Sequence, residues 1–137
     1  MNDKTCLFCK IILGEIPSTK IYENEIVYAF LDIKPINPGH TLVIPKEHFK
    51  NLYDLPDKTA AEIFIVVRDI GKAVKKAFSA DGINLEMNNE EDAGQIIHHA
   101  HIHIIPRYKG DGLRHWPGRD LEKTEAETIA QKIRNFL

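Results

Sequence analysis

The chain has 137 residues, 43% of them apolar and 28% charged, the balance of a single soluble globular domain able to bury its own core. Its 18 basic and 20 acidic residues are interspersed and sum to a formal charge of -2, which leaves no electrostatic footprint for duplex nucleic acid, so an anionic ligand has to be bound locally. No apolar run approaches the roughly 20 residues of a membrane span, nothing after Met1 reads as a signal peptide, and the 2 cysteines are too few for a disulfide framework; a cytoplasmic protein is expected.

The segment Cys6-Leu7-Phe8-Cys9 to Gly14 reads as one or two helical turns, with Gly14 as the stop and Pro17 beyond it. Its Cys-x-x-Cys pair has three readings: two small buried thiols, a redox pair, or half of a zinc site that needs two more ligands from elsewhere. Redox chemistry is the weakest of these, because no strand leads into a long helix here. Residues 20–23 and 25–32 are rich in β-branched and aromatic side chains and break at Asn24, which suggests a hairpin. Turn chemistry over 35–39 and a short apolar strand over 41–44 complete a three-stranded meander, with Asp32 and His40 flanking the turn.

Thr59 and Glu62 have the spacing of a capping box, and Ile63, Val67, Ile70 and Val74 continue at intervals of three and four, so an amphipathic helix is expected from about residue 55 or 59 to Phe78. Residues 83–88 alternate as a fourth strand, and the polar loop after it ends in Gly94-Gln95, where backbone N–H groups can converge on an oxyanion. Beyond Arg107 a loop containing Trp116 follows, the tryptophan being either an anchor for a partner or a plug over the core. A second capping box at Thr124 and Glu127 then opens a closing helix with Ile129, Ile133 and Leu137 on one face.

The chemistry concentrates in residues 98–107. His99, His101 and His103 occupy alternate positions, so on an extended strand their imidazoles share one side and Ala100, Ile102 and Ile104 the other. Polar and apolar residues also alternate on half-buried strands that have no function, but three imidazoles in register favour a site. At about 3.3 Å per residue the α-carbons of His99 and His103 lie roughly 13 Å apart, too far for three rings to share one ion easily. Divided roles fit better, with a central imidazole attacking an electrophile while a fixed acceptor, often a main-chain carbonyl, holds the proton on its other nitrogen. Phosphorus suits such an attack.

This segment resembles the signature His-Φ-His-Φ-His-Φ-Φ of the histidine triad (HIT) superfamily, Φ being apolar. Ala93-Gly94-Gln95, Pro106-Arg107, residues 30–33 and residues 39–46 also match, and residues 115–118 resemble the C-terminal end of its Hint branch, bacterial Hit-like members most of all. The resemblance implies an α+β HIT fold over residues 1–137: an antiparallel sheet of about five strands with two main helices, 108–137 as an appendage, and a homodimer whose sheet continues across the interface. It implies a hydrolase acting at the α-phosphate of adenosine phosphoramidates or related adducts, with a purine nucleotide as ligand and no catalytic cofactor. His101 corresponds to a nucleophile that forms a nucleotidyl-histidine, His103 to a contact with the α-phosphate, and His99 and His40 to supports of the triad. Asp32 corresponds to a ribose ligand and Ile33 to part of the base pocket, with Asn88, Gly94, Gln95 and Ile96 beside the phosphate and leaving group. Some bacterial members hold zinc with residues that correspond to Cys6, Cys9, His48 and His99, a closed set that reads as structural.

Two departures stand out. Ile96 occupies a position where many relatives carry a side chain able to donate a hydrogen bond, which puts leaving-group protonation in question. Ala100 replaces a larger apolar residue, a packing change. Two rival readings follow, a nucleotide-binding regulatory module with little catalysis and a metal-dependent hydrolase.

Overall fold

The computed structural model describes residues 3–137. A short helix α1 (Leu7–Ile12) precedes strands β1 (Lys20–Glu23), β2 (Val27–Leu31) and β3 (Thr41–Pro45). The long helix α2 (Asp57–Ala77), strands β4 (Gly82–Glu86) and β5 (Ile102–Arg107), and a terminal helix α3 (Lys123–Arg134) follow. The strands form one antiparallel sheet in the order β1-β2-β3-β5-β4. The meander and the pairing of the histidine strand with residues 82–86 are as the sequence suggests.

Alternation along β2 and β3 divides the core in two. Val27, Ala29 and Val43, with Ile102 and Ile104 of β5, face α2 and meet Ile63, Val66, Val67, Ile70 and Val74. Tyr28, Phe30, Leu42 and Ile44 point the other way, onto Phe8 and Ile11 of α1. Side chains such as Ile44 and Ile104, both fully buried, each contribute up to about 1.5–3 kcal/mol from apolar burial. The α1 face is the less completely covered, and the chemistry lies there.

Both capping boxes are displaced. α2 starts at Asp57 with Pro56 as its N-cap, and Glu62 instead accepts a 2.7 Å bond from Asn24 Nδ2 at the β1–β2 turn. α3 starts at Lys123, with Glu122 as the N-cap. No residue of α3 is fully buried, and Leu137 beyond it is fully exposed. Trp116 is 94% exposed, so it is no plug over the core.

Two contacts fix the ends of the strands that carry the site. The Asp111 carboxylate accepts from Arg107 Nε (2.8 Å), the Tyr108 backbone N–H (2.9 Å) and Asn37 Nδ2 (3.1 Å), which ties the end of β5 to the turn before β3. Gly39, at φ +96°, lies so close to Phe78 that a Cβ there would stand 2.6 Å from the ring. Among the described residues no helix is long and apolar enough to cross a membrane.

Candidate active site

The three aligned histidines share one side of the chain but not one strand. β5 begins only at Ile102; before it the backbone bends, with the His99 N–H bonded to the Ile97 carbonyl (2.9 Å) and the Ala100 N–H to the Phe49 carbonyl (2.7 Å). Phe8 sets its ring edge-on against both His99 and His101, at centroid separations of 5.8 and 5.3 Å, so these imidazoles do face α1, opposite Ile102 and Ile104. The bend turns His99 towards the cysteines and leaves His101 and His103 together, their rings 5.1 Å apart.

His101 Nδ1 donates to the main-chain carbonyl of His99 at 2.6 Å, which keeps the proton on Nδ1 and leaves Nε2 as a lone pair. A second chain of bonds orients His103. The Ile36 N–H donates to His40 Nδ1 (3.1 Å), so neutral His40 carries its proton on Nε2 and donates it to His103 Nδ1 at 2.8 Å. The His103 proton is thereby placed on Nε2, ready to donate to an anionic oxygen. Asp32 Oδ2 stands 3.6 Å from His40 Nε2 and 3.8 Å from His103 Nδ1, while Oδ1 accepts the Lys34 N–H at 2.7 Å. Asp32 thus combines turn capping with a place in the site. Burial lowers the pKa of His101, His103 and His40 below 6.5; the charge of Asp32 acts in the opposite direction without overcoming it. All three rings are poised as neutral bases and donors.

A cavity of about 600 Å³ opens over these rings. Asp32, Ile33, Asn88, Gly94, Ile96, His101 and His103 line it, on a floor that includes Phe8, Phe30 and Leu42. Gln95 departs from expectation. It is buried, with Nε2 donating to the carbonyls of Lys50 (2.6 Å) and Ile97 (3.1 Å) and Oε1 accepting from the Glu90 N–H (2.8 Å), so it braces the loop from beneath. The N–H groups of Gly94 and Gln95 themselves are taken up, closing turns onto the carbonyls of Glu91 and Glu90. His98 is exposed. Glu86 lines the cavity and was not singled out by sequence reasoning, although it shares strand parity with Asn88 and faces His103 across the ladder.

Beneath the bend, the Sγ and Nδ1 atoms of Cys6, Cys9, His48 and His99 all lie within 4.8 Å of one another. His99 Nδ1 is 3.4 Å from Cys6 Sγ and 3.6 Å from Cys9 Sγ, and His48 Nδ1 is 3.4 Å from Cys9 Sγ. Zn–S and Zn–N bonds of roughly 2.3 and 2.05 Å at tetrahedral angles separate S from N by about 3.6 Å, so the donor set fits zinc. His99 Nε2 donates to the Pro45 carbonyl at 2.9 Å, which aims the Nδ1 lone pair at the sulfurs. Without a cation, burial raises the Cys9 thiol to about 11 and lowers His99 to about 4; a bound dication favours thiolate and lone pair instead. Asp32, His40 and His103 also bring donor atoms within 4.8 Å, but there the two facing nitrogens already share a proton at 2.8 Å, the arrangement of a relay rather than of a metal cage.

A model of the HIT domain matches residues 13–110. The chain is 53% identical over 111 residues to Protein hit of Bacillus subtilis, covering 80% of this chain and 77% of that protein. It is 39% identical over 132 residues to adenosine 5'-monophosphoramidase hnt1 of Schizosaccharomyces pombe, covering 94% and 96%. The crystal structure of a HIT family member from Bacillus subtilis superposes with a TM-score of 0.92 at 46% identity, over 98% of each chain. A zinc-bound histidine triad family protein from Mycobacterium smegmatis superposes with a TM-score of 0.76 at 37% identity, covering 96% and 97%.

Proposed function

Because the chain belongs to the HIT family, we propose that it is a nucleotide hydrolase that cleaves nucleoside phosphoramidates, adenosine adducts above all, at the α-phosphate through a covalent intermediate on His101. The observation that carries this reading is the 2.6 Å bond from His101 Nδ1 to the His99 carbonyl in a ring that lines the cavity. Nε2 attacks phosphorus, the P–N bond to the leaving amine breaks, and the amine takes a proton from water as it departs. Positive charge that develops on the imidazole is stabilised by the Nδ1–H···O bond. His103, oriented by His40, donates from Nε2 to a phosphate oxygen. Water then attacks phosphorus and gives up a proton to solvent, the N–P bond breaks, neutral His101 is restored, and AMP leaves. The name of the fission-yeast relative, an adenosine 5'-monophosphoramidase, supports the substrate class.

In this reading Asp32 binds the ribose, Ile33 and Phe30 border the base, and Asn88 and Gly94 lie beside the phosphate. Gln95 acts only by holding that loop. Cys6, Cys9, His48 and His99 hold a structural zinc, a group that contributes folding stability and no chemistry to the step. The protein is a cytoplasmic homodimer, for which the unpaired edge of β4 offers a strand-pairing surface. Ile96, 91% exposed at the cavity rim, is the feature that favours the second reading, a nucleotide-binding module with little turnover. Replacing His101 by Ala decides between them: phosphoramidate hydrolysis falls by about 10⁴-fold or more while AMP binding persists. Hydrolysis that survives the replacement removes the mechanism, and a parent chain that binds AMP but turns nothing over supports the module.

A further inference from the structure

Strand order gives the cavity two flanks. β2 and β3, with the residues just after β2, supply Phe30, Asp32 and Leu42 on one side; β4 and the segment following it supply Glu86, Asn88 and Ile96 on the other. β5 runs between β3 and β4, so His101 and His103 stand between the flanks. If the Asp32 flank takes the nucleoside, as proposed above, the departing group lies on the β4 flank.

That flank carries a negative charge. Glu86 is the direct cross-strand partner of His103, which puts both side chains on one face with β-carbons about 4.5–5.5 Å apart. Its exposed carboxylate accepts a long 3.4 Å bond from Asn88 Nδ2, and among the described residues no lysine or arginine forms a salt bridge with it. Its charge is felt by both His103 and His40. The charged side chains lining the cavity are Asp32, Lys34 and Glu86, one cation against two anions. An α-phosphate adds a further negative charge. Such a cavity disfavours ligands with anionic groups on both sides of the phosphate and favours one whose own positive charge offsets Glu86. Ile96, on the same flank of the cavity, has a side chain that offers hydrocarbon and no hydrogen bond.

We propose that Glu86 and Ile96 form a subsite for a cationic leaving group, an alkylamine whose methylenes lie on Ile96 and whose distal ammonium pairs with Glu86. This rests on the hydrolase reading for the direction of the substrate. It makes Glu86 a determinant of specificity, with no part in the bond-breaking step.

Two isosteric adenosine 5'-phosphoramidates test it, one N-linked to 4-aminobutyl and the other to n-pentyl. Calorimetry on the His101→Ala chain at low salt is expected to show the ammonium analogue binding on the order of tenfold more tightly, with the preference shrinking as salt rises. In the Glu86→Gln variant on that background the ratio falls to about one, and with Glu86→Lys it inverts. Equal binding by the starting chain, a preference that survives Glu86→Gln, or binding of neither analogue overturns the subsite. Turnover by the unaltered chain is read separately. Preferential binding without hydrolysis of either analogue sinks the hydrolase reading and leaves the subsite standing, whereas hydrolysis of both with equal affinity does the reverse.

Discussion

Replacing Gly39 by Ala perturbs the active site from outside the cavity, through the turn that delivers His40. Gly39 has φ +96°, and an added Cβ meets Phe78 Cε2 and Cδ2 at 2.6 and 2.7 Å. Two costs follow. Holding an L-residue in the left-handed region costs about 1–2 kcal/mol. Relieving the overlap requires the Phe78 ring, already 42% exposed, to withdraw by roughly 1 Å, which uncovers about 20–40 Å² of apolar surface and costs about 0.5–1 kcal/mol. The sum, about 1.5–3 kcal/mol, should appear as a lowered denaturant midpoint with unchanged slope. Turnover should fall as well, because the His40 N–H bond to Asn37 (3.1 Å) and the Thr41 hydroxyl bond to the Gly39 carbonyl (2.9 Å) hold the turn that aims His40 at His103. In a Phe78→Ala background the overlap vanishes and only the backbone strain remains, so the Gly39→Ala cost should drop to about 1–2 kcal/mol. A Gly39→Ala chain within about 0.5 kcal/mol of its parent, or an equal cost in both backgrounds, refutes the close-approach argument.

The pH dependence of kcat/KM should show an acid limb centred below 6.5, because His101, His103 and His40 have lowered pKa values and act as neutral rings; a midpoint at or above 6.5 contradicts the burial argument. In metal-free protein the His99 ring, at about 4 against 6.5, binds fewer protons folded than unfolded, so stability should decline as pH falls from 6.5 to 4, by up to about 3 kcal/mol, and level off below; thermal melts across that window check the sign. Chelation, or Cys9→Ser, should lower the unfolding midpoint by several degrees while kcat/KM of the folded fraction changes by less than about threefold; loss of activity restored by added ion at unchanged stability favours a metallohydrolase instead. Deleting residues 119–137, none of which is fully buried, should leave the monomer's unfolding free energy within about 1 kcal/mol of the full chain.

The parts of the site that obey a local period were legible. Alternation placed His103 opposite Ile102 and Ile104, and the hydrophobic stripe located α2, because the pleat and the helical repeat act on neighbouring residues alone. What escaped depends on contacts distant in sequence. The bend that sends His99 to the cysteines hangs on the Ala100 bond to Phe49, and nothing in residues 98–107 announces it. Glu62 has the spacing of a capping residue but finds Asn24, 38 positions away, which no local rule anticipates. Gln95 reads as a phosphate ligand until Lys50, Ile97 and Glu90 are seen to take up its amide. Glu86 looked like an ordinary polar residue of an alternating strand, and only its register opposite His103 gives it a role.

A bond between His101 Nε2 and phosphorus can be sought directly by quenching the protein during incubation with an adenosine phosphoramidate, digesting it, and weighing the peptides. An acid-labile adenylyl group on His101, absent from the His101→Ala chain, is the expected result. Steady hydrolysis with no adduct, or an adduct on any other side chain, contradicts it.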